Sequence, residues 1–135
     1  MVESAAVPLR CVVVTPERAL LDVEVDFVAV PMYDGELGVL PGRAPLIGRL
    51  GPGELRTRRG NETHRFFVDG GFAQVRSNVV TVLTPRAMKA EEIDRATAEQ
   101  ALETAKASRV GPEERLKNET RARAQLRLAT QRDED

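Results

Sequence analysis

The chain has no tryptophan, one tyrosine, one cysteine and one histidine among its 135 residues. Each scarcity excludes something. A single cysteine, Cys11, cannot form an internal disulfide, which suits a reducing compartment; within an apolar run it reads as core. His64 has no second histidine and no nearby cysteine, so neither a metal site nor a histidine-dependent catalytic pair is expected. With 20 basic against 21 acidic residues the net charge is −1, and no nucleic-acid footprint follows from it. No run approaches the roughly 20 apolar residues of a membrane-spanning helix. Met1 to Pro8 lacks the basic and apolar regions of a secretory signal. Any attachment to a membrane is therefore expected to be indirect. The glycine-rich stretch in the middle has no Lys-Ser/Thr, so it is not a phosphate-binding P-loop.

What is present divides the chain unevenly. All the aromatic and most of the β-branched residues lie in 1–86. Residues 87–135 are rich in Ala, Glu and Arg and contain no Phe, Tyr or Trp. The first part is read as one β-sandwich domain and the second as a helical appendage, with the boundary near Thr84-Pro85-Arg86.

In the first part, Leu9 to Val14 reads as a strand ending at Thr15-Pro16. Arg18 to Val30 alternates apolar and polar and reads as one long, half-buried strand, ended by Pro31. Asp34 to Gly53 concentrates Gly and Pro but keeps Leu37, Val39, Leu40, Leu46, Ile47 and Leu50 between them. That pattern predicts short strands folded tightly back and forth. Gly60-Asn61, Asp69-Gly70-Gly71 and Ser77-Asn78 are read as three hairpin turns. The expected architecture is α+β: an antiparallel sandwich of about ten short strands, then two helices.

From Ala87 the period becomes helical. Glu91, Glu92 and Asp94 favour a helix start, and Ile93, Ala98, Ala101, Leu102 and Ala105 fall on one face. Ser108 to Gly111 breaks the pattern and Pro112 opens a second helix. That helix is expected to reach about Thr130, with a thin stripe of Leu116, Ala122, Leu126 and Ala129 and fraying at Asp133-Glu134-Asp135. Alanine contacts bury little apolar area, and isolated helices of this length are marginal. A loosely held αα-hairpin is the expectation. By composition alone, a free-standing ligand-binding sandwich with a helical dimerisation tail is the alternative reading.

Gly35-Glu36-Leu37-Gly38-Val39-Leu40-Pro41-Gly42-Arg43-Ala44-Pro45-Leu46, followed by Gly51-Pro52-Gly53, resembles the signature of the epsilon subunit of F-type ATP synthases, called delta in mitochondria. Asp69-Gly70-Gly71-Phe72, Val79-Thr81-Val82-Leu83 and the two helices follow in the same order. The resemblance implies a non-catalytic rotor subunit of a proton-translocating ATP synthase. Its sandwich would bind the gamma subunit and the c ring. Its hairpin would inhibit ATP hydrolysis by extending toward the catalytic alpha/beta hexamer. The complex would sit on the cytoplasmic face of a bacterial inner membrane.

Carried over residue by residue, Glu36 is the c-ring contact. Leu40 and Arg43 belong to the partner-binding turn, and Arg43 stands where the family has His. A guanidinium is always charged, so a contact there would be insensitive to pH. Some bacterial members bind ATP through (Ile/Leu)-Asp-x-x-Arg-Ala. Here Ile93, Asp94 and Ala98 match, but Thr97 replaces the arginine. Arg123 and Arg127, four apart on one helix face, match the second element. They are read as hairpin-docking residues. With one arginine missing, weak or no regulatory ATP binding is expected, and no other cofactor.

Overall fold

The computed structural model describes residues 7–134, and the backbone alone for 131–134. Its strands are β1 (Leu9–Val14), β2 (Ala19–Val25), β3 (Phe27–Met32), β4 (Gly35–Val39), β5 (Leu46–Arg59), β6 (Glu62–Arg76), β7 (Val79–Leu83) and β8 (Ala87–Lys89). They are joined in the order β2-β1-β7-β6-β5-β3-β4, with β8 on the side of β6. All pairings are antiparallel except β1 with β7.

Two strands of this continuous ladder are long enough to serve both layers of a sandwich. The halves Leu46–Leu50 and Phe72–Arg76 lie beside β7, β1 and β2. The halves Pro52–Arg59 and Glu62–Asp69 lie beside β3, β4 and β8. Eight strands, two of them counted in each layer, account for the ten expected.

The bend falls where Gly51-Pro52 faces Asp69-Gly70. Both segments are strand, not the turns expected from their composition. Gly70 and Gly71 have φ of +81° and +103°, a region that L-residues avoid. A Cβ on Gly71 would collide with the carbonyl oxygen of Leu83. These glycines fold a long hairpin over on itself instead of reversing the chain. Asp34 to Gly53 is thus one short strand, one turn and half of a long strand.

Of the three hairpin turns expected from Gly60-Asn61, Asp69-Gly70-Gly71 and Ser77-Asn78, the first and last are turns, Ser77 and Asn78 with φ of 51° and 62°. The predicted strand Arg18–Val30 is two strands, broken at Asp26. The Asp26 N–H donates to the Arg58 carbonyl and its carboxylate accepts from the Gly60 N–H, at 2.8 and 2.6 Å. The break reverses the alternation: Val28 and Val30 enter the core, and Phe27 faces outward. Pro31 does not end β3, which runs on to Met32.

The core between the layers is built from Leu9, Cys11, Val13, Val28, Val30, Val39, Leu55, Phe66, Val68, Val75, Val80 and Val82. Sheet pairing continues to Lys89, beyond the composition shift at Arg86. A 3-10 turn, Ala90–Glu92, follows; Glu91 and Glu92, expected in the first helix, lie here instead. α1 (Arg95–Ala107) begins at Asp94, whose carboxylate caps it by accepting from the Thr97 N–H. α2 (Pro112–Glu134) is longer than expected. The fraying predicted at its end falls on side chains, and on Asp135, outside the described residues.

The hairpin packs on the outer face of the β8-side layer, over Phe67. Ala90, Ile93, Ala98, Ala124, Leu128 and Ala129 close this second cluster. Leu116 is not in the stripe as expected; it is 67% exposed near the start of α2.

Candidate functional site

Glu36 lies on β4, at the edge of the β8-side layer. Leu37 and Val39 turn inward, so Glu36 and Gly38 face out. Phe27 lies over Gly38, where a Cβ would stand 3.0 Å from the ring. Arg56 reaches Glu36 across β3 at 3.5 Å and donates to Glu54 at 3.0 Å; Arg65 stands 3.5 Å from the other Glu54 oxygen. Four charges of alternating sign thus cross the sheet, with buried Glu54 between two arginines. Arg58 lies 5.2 Å from the centroid of Phe27. This arrangement orients Glu36 while leaving its side chain 53% exposed. Glu36 is readable from the sequence but its pairing with Arg56 is not, because that pairing depends on the register of three strands.

Leu40 and Arg43 lie in the turn after β4. Gly42 has φ of +87°, and its N–H donates to the Asn78 side-chain oxygen at 2.7 Å. The Arg43 N–H donates to the Leu40 carbonyl at 3.2 Å. Asn78 therefore ties the Arg43 turn to the β6–β7 turn, while both Leu40 and Arg43 remain exposed. No ion pair joins Glu36 to Arg43 among the described residues. Asn78 was visible in the sequence only as a turn former.

The other layer presents a surface the sequence reading missed. Ile47, Phe72 and Leu83 point away from the core and are 72%, 53% and 53% exposed. Phe72 faces Leu83 directly across the β6–β7 ladder and Arg49 across β5–β6. The Arg49 guanidinium sits 4.6 Å from the centroid of exposed Tyr33. Apolar residues clustered on a sheet's outer face mark a contact surface. The signal was available: these residues occupy the polar phase of their strands' alternation.

On the hairpin, Ile93 and Ala98 are buried beneath α2. Asp94 is engaged as a cap, accepting from both the N–H and the hydroxyl of Thr97, at 3.2 and 2.6 Å. Arg123 pairs with Glu119 at 3.3 Å, and both Arg123 and Arg127 are exposed. Thr97, where the resembled motif has arginine, thus serves the helix start. Among the described residues no three His, Cys, Asp or Glu side chains gather as metal ligands. No described helix is long and apolar enough to cross a membrane.

Residues 8–90 match the family model of the ATP synthase delta/epsilon chain β-sandwich domain. The chain belongs to this family of ATP synthase subunits. An ATP synthase epsilon chain of Rhodopirellula baltica is 60% identical over 94 residues, covering 70% of this chain and 73% of the relative. The epsilon chain of Nitratidesulfovibrio vulgaris strain DP4 is 39% identical over 124 residues, 92% of each chain. A chain in the cryo-EM structure of the Euglena gracilis mitochondrial ATP synthase, comprising OSCP, F1 and c ring, superposes with a TM-score of 0.72 at 28% identity. The match covers 88% of this chain and 75% of that one. This epsilon-family chain is accordingly a non-catalytic subunit of the central stalk, peripheral to the membrane through its complex.

Proposed function

We propose that the sandwich carries the binding and the hairpin the regulation in a proton-translocating ATP synthase, on the cytoplasmic face of a bacterial inner membrane. The outer face bearing Ile47, Phe72 and Leu83 receives the gamma subunit. Glu36 is the c-ring contact, and Leu40 and Arg43 complete the partner-binding end. Support comes chiefly from the apolar patch: three large side chains, each more than half exposed, on one side of a rigid sheet. Its size and apolar character suit burial against another chain.

The test is co-purification. The wild-type chain is expected to recover gamma and the alpha/beta hexamer at one copy per complex. Phe72→Lys with Leu83→Glu, an opposite-charge pair across the ladder, is expected to lose gamma with only a small change in melting temperature, since both side chains are about half exposed. Retention of gamma by that variant overturns the assignment of this face. Glu36→Lys is expected to retain gamma but weaken coupling of hydrolysis to ion pumping.

The hairpin, when extended toward the alpha/beta hexamer with Arg123 and Arg127 leading, slows ATP hydrolysis. Truncation after Glu92 keeps β8 and the 3-10 turn and is expected to raise hydrolysis by the assembled complex; no rise rejects the inhibitory role. ATP binding to the hairpin is weak or absent, because Thr97 supplies no cation and Asp94 is occupied as a cap. Micromolar affinity in calorimetry would overturn that statement.

A further inference from the structure

Among the described residues there are two buried apolar clusters, and they share no residue. The sandwich core is complete without any residue after Ala87. The hairpin's cluster contains one large buried residue from the sandwich, Phe67, with Met88 at its margin; its helix members are mostly alanine. Release of the hairpin would leave the core whole and uncover chiefly Phe67. Such a unit opens by itself, below the cost of global unfolding. With so little apolar area holding it, a polar contact carries a large share of the attachment.

An ion pair bridges the two units. Arg121 Nε donates to Asp69 Oδ1 at 2.8 Å, across 52 residues of sequence. Both side chains are mostly shielded, 29% and 17% exposed. Each end is prepared. Arg121 also donates to the Asn118 side chain one turn back, at 3.2 Å, which sets its guanidinium. Asp69 sits at the bend of the β5–β6 hairpin, its N–H bonded to the Arg86 carbonyl at 3.0 Å. Gly70 and Gly71 follow it in conformations reserved for glycine.

The ion pairs of Arg95 with Glu99, Lys106 with Glu103, Arg115 with Glu119 and Arg123 with Glu119 lie within a single helix and travel with it. A groove of about 990 Å3 bordered by Tyr33, Phe72, Leu116 and Lys117 runs beside the Asp69–Arg121 pair. Water thus reaches both charges as soon as they part.

We propose that the Asp69–Arg121 pair is a latch that sets how often the hairpin leaves the sandwich. The latch is a property of the chain alone and stands apart from what the sandwich binds.

Hydrogen–deuterium exchange on the full-length free chain tests it. Asp69→Asn and Arg121→Gln are each expected to raise exchange of the α1 and α2 amides roughly tenfold, as loss of one charge-assisted bond implies. The amides of β1, β6 and β7 are expected to stay at wild-type rates. The double variant should exchange no faster than either single variant. Glu119→Gln, which touches only intrahelical pairs, should differ from wild type by less than twofold. Raising the salt concentration from 0.05 to 1 M should speed helix exchange in wild type but not in the variants. Wild-type helix exchange in both single variants overturns the proposal. So does full additivity in the double variant. A matching rise in the sandwich strands of both single variants overturns it too, because the pair would then belong to the global fold.

Discussion

The sandwich and the hairpin are held by different means. The sandwich closes around β-branched and aromatic side chains, many with no exposed surface at all, and its two layers share strands. The hairpin lies on one face of it through alanines, Leu128, Ile93 and a single large sandwich residue, Phe67. Burial of Leu, Val or Phe contributes about 1.5–3 kcal/mol per side chain, and alanine far less. Contrast of this kind teaches where motion would be cheap: shifting the hairpin costs far less than reshaping the sandwich.

The sharpest way to break the comparison is at the bend. Gly71→Val places a Cβ against the Leu83 carbonyl at a positive φ. A loss of at least about 3 kcal/mol, enough to unfold the sandwich, is expected in denaturant titration. Next come two leucine truncations. Leu55→Ala, in the sandwich core, should lower global stability by about 2–5 kcal/mol. Leu128→Ala, equally buried, should speed exchange in the helices and leave the sandwich's unfolding midpoint nearly unchanged. A shared drop in both would mean that the two units unfold together.

A pH effect separates them further. Burial, with a smaller contribution from the Asp22 charge, pushes the Cys11 thiol from 9.0 to about 12. The unfolded chain loses its thiol proton above pH 9 while the folded chain keeps it, so stability present below pH 9 falls as pH rises toward 12. The expected slope is about 1.4 kcal/mol per pH unit. Cys11→Val should remove that slope from the sandwich and leave hairpin release untouched.

Asp94→Ala removes the α1 cap and should cost about 1 kcal/mol of helix stability, visible in exchange at the start of α1 alone. The smallest effect is expected from Arg43→His, whose side chain is exposed and whose turn is fixed through Gly42 and Asn78. Assembly should be unchanged within twofold.

Local chemistry was legible in the sequence. Gly60-Asn61 and Ser77-Asn78 turned where expected, and the change of period pointed to the helical part, which begins at Arg95 after a short strand and a 3-10 turn occupy 87–92. Misreadings arose where two distant segments decide the outcome together. Gly51-Pro52-Gly53 and Asp69-Gly70-Gly71 each carry turn composition, yet each lies opposite the other and becomes a bend in paired strands. Asp26 interrupts an otherwise regular alternation only because Arg58 and Gly60 lie beside it. For the site, Glu36, Leu40 and Arg43 were readable because the motif is contiguous. Arg56, Asn78 and the Ile47–Phe72–Leu83 face were not, since strand register brings them together.

The β5–β6 hairpin has a mechanical consequence. In many sandwiches the layers are separate sheets that touch through side chains, and such contacts slide under shear. Here 14- and 15-residue strands pass from one layer into the other, each about 45–50 Å of chain at the usual rise per residue. A load applied at the Phe72 face is carried along covalent backbone and a hydrogen-bonded ladder to the Glu36 face. Its two exposed surfaces are therefore joined by continuous paired strands and not only by side chains meeting between separate sheets.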